Sequence, residues 1–138
     1  KKDGICIMNA SDGMHMCSRT SSGDELKEIE AMFTPKIPDG FKDVVDGVQM
    51  KPLVYGEKTL MAEFRLARGA DLPAHQHPHE QTGWLASGRI ELTIDGDVHT
   101  VEPGDSWCIP GGVTHSARAH EDSVAVEVFT PVREDYLP

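Results

Sequence analysis

The sequence predicts an all-β, single-domain protein folded as an antiparallel sandwich or barrel. Three observations lead there. At 138 residues the chain is one domain long and can bury a real core. From about Phe41 onward, short β-type segments are separated by turn signals every eight to twelve residues or so, with no helical period between them. The turns themselves are of hairpin chemistry: Asp95-Gly96, Pro103-Gly104 and Pro110-Gly111-Gly112.

Taken in order, residues 1–21 mix small, polar and Met/Cys residues without period and read as a flexible arm. The cluster Met14-His15-Met16-Cys17 reads as part of that tail rather than as a second, soft-metal site. Ser22 with Glu25 forms a capping box, and Leu26, Ile29 and Phe33 follow at helical spacing. A short amphipathic helix is expected over Gly23–Phe33, ended by Pro35 and Pro38, as the start of a domain spanning 22–138. Val48–Tyr55 reads as a strand, and Pro52 within it marks a sheet edge. Thr59–Leu66 places Leu60, Ala62, Phe64 and Leu66 on one side. Gly69 turns the chain into Leu72–His77, and Gln81–Ala86 leads on through Gly88. Arg89–Ile94 and Val98–Val101 form a hairpin about Asp95-Gly96. Trp107–Ile109, His115–Ala119 and Ser123–Thr130 complete the strands.

Composition excludes several partners. A net charge of −10 argues against nucleic acid, which requires a basic face, and against anionic membrane surfaces. An anionic substrate would have to be attracted locally, by a metal or one placed arginine. Three cysteines, Cys6, Cys17 and Cys108, make no disulfide framework and suggest a reducing compartment. No apolar run reaches the ~20 residues of a membrane span, and KKDGICIMNA lacks the apolar core of a signal peptide. A cytoplasmic protein is expected.

The chemistry concentrates in GADLPAHQHPHEQTGWLASG, Gly69 to Gly88. His75 and His77 are two apart, so in a strand both imidazoles lie on one face, about 7 Å apart. Gln81 follows as a third polar candidate. A divalent cation is the simplest object that gathers such groups.

The spacing G69-x5-H75-x-H77-x3-Q81-x6-G88, with Gly104, Pro110, Gly112 and His115 in the order G-x5-P-x-G-x2-H, resembles the two motifs of the cupin superfamily over residues 45–131. The resemblance implies a double-stranded β-helix, or jelly-roll barrel. It also implies one divalent transition metal (Ni, Zn, Mn or Fe) held inside by His75, His77, Gln81 and His115. The general pattern has Glu where this chain has Gln81. Glu80 is adjacent, but strand parity turns it the other way, which favours Gln81. Three neutral imidazoles and an amide leave the ion its full charge, which suits Lewis-acid work on an anionic oxygen.

HPHEQ at 77–81 and EVFTPVREDYL at 127–137 further resemble the KdgF family, small cupins of pectin and alginate catabolism. That resemblance implies linearisation of 4,5-unsaturated uronate monosaccharides to the open 5-keto form. By position it assigns the acid to Glu127, an aromatic pocket wall to Phe129 and the carboxylate-binding arginine to Arg133. Some members carry Asp at the acid position, so Glu127 reaches one methylene further. The residues add support, since Glu127 is a lone carboxylate sharing a face with Ala125 and Phe129 in an apolar strand. Two rivals stand beside this reading: an iron-dependent cupin dioxygenase, and a non-catalytic metal-dependent sugar-binding or sensor module.

Other residues read plainly. His79 belongs at a pocket rim, and His99 and His120 are solvated beside turns. Trp84 and Trp107 are core or interface aromatics, and Cys108 is packing in a short buried strand. Val124, Val126 and Val128 share an outer face that needs a cover, and a homodimer is expected to supply it.

Overall fold

A computed structural model describes residues 32–138. The expected helix over 23–33 therefore lies outside the described residues, apart from Met32 and Phe33. Those two are exposed and not helical.

Ten strands follow: β1 Lys42–Val45, β2 Val48–Tyr55, β3 Leu60–Leu66, β4 Asp71–His75, β5 Glu80–Ser87, β6 Ile90–Ile94, β7 Asp97–Val101, β8 Ser106–Ile109, β9 His115–Ala119 and β10 Ser123–Thr130. They form a six-stranded sheet in the order β1-β2-β3-β10-β5-β8 and a four-stranded sheet in the order β4-β9-β6-β7. All pairings are antiparallel. After β10 the chain closes with a single 3-10 turn, Glu134–Tyr136.

The core fills the space between the sheets, and the period-2 pattern of each strand explains it. Leu60, Ala62, Phe64 and Leu66 of β3 are buried while Met61 and Arg65 between them are exposed. Ile90, Leu92, Ala117 and Ala119 answer from the smaller sheet. The Asp95-Gly96 turn joins β6 to β7, with both residues at positive φ (50° and 86°) as a two-residue hairpin loop requires.

Pro52 needs a refined account. β2 is not the edge of its sheet, because β1 flanks it through Met50. β1 stops there, however, so Pro52 has no outer partner, and the inner ladder with β3 shifts register between Pro52 and Val54. Proline is accommodated at a bulge on a locally open edge. Cys108 also departs from expectation. It is exposed, because alternation in β8 turns Ile109 and Trp107 inward instead.

Candidate metal centre

Two paired strands and one loop build the histidine cluster. His75 ends β4 and lies directly opposite His115, the first residue of β9. His77 follows in the loop, where its carbonyl accepts a hydrogen bond from Gly112 N at 2.8 Å and so ties this loop to the Pro110–Gly112 turn. The ring centroids lie 4.2 Å apart for His75–His115 and 5.0 Å for His77–His115. One ligand atom from each of the three falls within 4.8 Å of the others, a group that can hold a metal ion.

Local hydrogen bonds set the tautomers. The Nδ1–H of His75 donates to Pro73 O (2.8 Å), that of His115 to Val113 O (2.8 Å) and that of His77 to His79 O (3.0 Å). A carbonyl only accepts, so each neutral ring carries its proton on Nδ1 and leaves Nε2 as a lone pair. His115 Nε2 is buried with no hydrogen-bond partner. Burial, foremost, holds His77 and His115 below the ordinary imidazole range, with the Arg133 charge as a further cause in each.

Gln81 sharpens the point. In β5 the residues Gln81, Gly83 and Leu85 face inward and are buried, whereas Glu80 is exposed. The Gln81 amide donates from Nε2 to Glu127 Oε1 at 2.7 Å, which turns its Oε1 toward His77 Nε2 at 3.0 Å. With His77 neutral and protonated at Nδ1, that contact sets two lone pairs against each other. A cation bound by both resolves it. The residues therefore fit a metal ion.

Across the larger sheet, one inward row reads Ala62, Glu127, Gly83, Trp107. Small residues on both flanks leave room for the Glu127 side chain. A Cβ on Gly83 would lie 2.1 Å from the Trp107 ring, so the bare glycine is what lets the indole lie across the strand. Trp107 Nε1 donates to Glu127 Oε1 at 3.3 Å. Burial pushes the Glu127 carboxyl up to about 7, against the opposing pull of the Gln81 and Trp107 hydrogen bonds and the Arg133 charge. Beneath the cluster a cavity of about 30 Å³ touches Leu72, Leu92, Trp107, His115 and Glu127, room for about one water.

Phe129 is buried, with its ring 5.9 Å from that of His77. Arg133 is brought to the same end. Its guanidinium lies 5.3 Å from the Phe129 ring and 3.7 Å from the Tyr136 ring. It is not a free charge, because Asp135 forks it through Nε (3.2 Å) and Nη2 (2.8 Å). Sequence reasoning gave Trp107 only a packing role and passed over Asp135 and Tyr136. A lone glycine inside a strand, Gly83, was the available signal that another group approaches the backbone closely. His79 has its Nδ1 buried and unpartnered, while His99 and His120 are exposed.

Comparison with known proteins agrees with this architecture. A cupin-domain family model matches residues 62–131. The pectin degradation protein KdgF of Dickeya dadantii (strain 3937) is 27% identical over 99 residues, covering 70% of this chain and 90% of that protein. The H2HPP isomerase of Bacillus subtilis is 25% identical over 118 residues, 79% of this chain and 50% of that protein. Among solved structures, KdgF from Halomonas sp. matches with a TM-score of 0.69 at 32% identity, over 72% of this chain and 92% of that one. An RmlC-like cupin from Shewanella frigidimarina, at 23% identity, matches in fold with a TM-score of 0.74 over 78% of this chain and 98% of its own. With the domain match, the barrel and the three facing histidines in agreement, the chain belongs to the cupin superfamily and within it is similar to the KdgF proteins.

Proposed function

We infer that the protein linearises 4,5-unsaturated uronate monosaccharides to the open 5-keto uronate. The observation that carries this reading is the row Glu127–Gln81–His77, in which the Gln81 amide donates to a carboxyl of raised pKa and turns its oxygen to the same point as the lone pair of His77 Nε2. The similarity to KdgF proteins supports it.

His75, His77, His115 and the Gln81 oxygen would hold one divalent transition metal. When bound, that ion supplies Lewis-acid stabilisation of negative charge on a substrate oxygen. The reaction is an isomerisation. The C1 hydroxyl loses its proton as C1=O forms and the C1–O5 bond breaks, and C4 of the resulting enolate takes a proton as C5 becomes a ketone. Glu127 accepts the first proton and delivers the second. A carboxyl poised near pH 7 is suited to both directions of transfer. Phe129 walls the site and Arg133 receives the uronate carboxylate. Asp135 offsets part of the arginine's charge, so recognition of the carboxylate rests on the hydrogen-bond geometry of the guanidinium more than on its net charge. The cytoplasm is the compartment that accords with this reaction and with the free, exposed Cys108.

The test follows the ultraviolet band of the carboxylate-conjugated alkene of 4,5-unsaturated galacturonate with metal-loaded and chelated protein. Metal-dependent acceleration over the slow unaided rearrangement supports the assignment. No acceleration by fully metallated protein rejects it.

A second copy of the chain covers the outer face of the larger sheet in this reading. There Met61 and Trp84 are exposed and Val124, Val126 and Val128 are half-buried. A Trp84→Glu chain should sediment as a monomer where the parent sediments as a dimer.

A further inference from the structure

The C-terminal turn carries an arrangement that the proposed reaction leaves unused. Arg133 is largely buried, its side chain only 14% exposed, yet it is the group that must meet a ligand from outside. Two contacts fix it. One guanidinium face stacks on Tyr136 at 3.7 Å. Tyr136 is itself wedged edge-on against Phe129 (5.5 Å, 88°) and Phe64 (6.1 Å, 62°), so the platform belongs to the core. The second contact is the Asp135 fork on Nε and Nη2, made within one 3-10 turn whose Tyr136 N donates to Arg133 O at 3.0 Å.

A guanidinium has five N–H donors, and this fork uses one on Nε and one on Nη2. Three remain, both hydrogens of Nη1 and the second of Nη2. One from each nitrogen makes the end-on pair that a second carboxylate takes in bidentate fashion. We propose that Asp135 is a positioning residue, which holds the side edge of Arg133 against Tyr136 so that the end-on edge stands ready for the carboxylate of a uronate ligand. This deepens the proposed function and rests on its assignment of Arg133. An arginine has several rotatable bonds to immobilise on binding, and a pre-set fork removes most of that cost.

The experiment uses the metal-loaded full chain and two probes that do not turn over, galacturonate and the neutral galactose, with calorimetric titration of each. The parent should prefer galacturonate, and Arg133→Ala should abolish the preference. Asp135→Asn and Asp135→Ala should weaken galacturonate about tenfold and leave galactose unchanged, while Asp135→Glu retains most of the preference. Asp135 is 57% exposed, and equal metal content and circular dichroism would show that its variants fold. If Arg133→Ala abolishes the preference but Asp135→Asn leaves it intact or strengthens it, positioning is overturned and Asp135 is a competitor for the arginine. If the parent shows no preference, or Arg133→Ala keeps it, the assignment of Arg133 falls and this proposal with it.

Discussion

The two sides of the site are built by different rules. On the histidine side, every ring is oriented by a carbonyl two residues away: Pro73 for His75, His79 for His77, Val113 for His115. On the acid side, Glu127 is oriented by Gln81, 46 residues off, and by Trp107, 20 residues off. In the first half each ring is oriented locally, and the pairing of β4 with β9 brings His115 to the other two. The second exists only when β5, β8 and β10 are in register. Gln81 joins them, with its nitrogen to the acid and its oxygen to His77.

The largest effects should come from the local half. His115→Ala removes a buried Nε2 that has no other partner, and affinity for zinc or nickel should fall by more than about 100-fold. The fold should persist, as His115 opens β9 and lies at the barrel's end. Metal per chain after dialysis, alongside circular dichroism, checks both. Glu127 then separates proton transfer from ligand orientation. Glu127→Gln keeps an acceptor for the Gln81 amide but cannot carry a proton, so turnover should fall by about 10²–10⁴ with metal affinity little changed. Glu127→Leu removes the acceptor as well and should weaken metal binding by about 10–100-fold. Full activity in the Gln variant would end the shuttle role.

That asymmetry also explains what could be read in advance. The strands were legible because each carries its own alternation, as β3 and β10 do, and the hairpin because Asp95-Gly96 fits only a few backbone conformations. His75 and His77 were legible for the same reason: their spacing alone puts them on one face. Nothing local in Trp107 announces a hydrogen bond to Glu127, since that bond needs the bare Gly83 lying between them. Nor does the composition of EVFTPVREDYL reveal that Asp135 has already claimed Arg133. Such facts arise from register and from a turn of three residues. Cys108 was misjudged for a related cause, because a strand of four residues is too short to fix its own parity.

Gly83→Ala tests the register-dependent half at an intermediate scale. The added methyl would meet the Trp107 ring at 2.1 Å, with Trp107 wedged against the hydrophobic core. Overpacking of this kind costs about 1–3 kcal/mol, and for a domain of this size Tm should drop by several degrees. The indole should move away from Glu127 and shift the tryptophan fluorescence of the folded protein. The histidine cluster should still take up metal, because none of its orienting carbonyls lies near residue 83. Loss of metal binding in this variant would show that the two halves are not separable.

The smallest expected change comes from Trp107→Phe, and it can be given a sign. The indole N–H donates to Glu127 Oε1 and favours the ionised carboxylate, opposing the burial that raises its pKa to about 7. Phenylalanine keeps most of the packing and removes the donor. The carboxyl then holds its proton to higher pH than before. A limb of the pH–rate profile near 7 that belongs to Glu127 should therefore move upward. If the profile moves downward, burial is not what governs the acid. If it does not move at all, the limb belongs to another group, and the hydrogen bond that spans the sheet orients Gln81 without tuning the proton transfer.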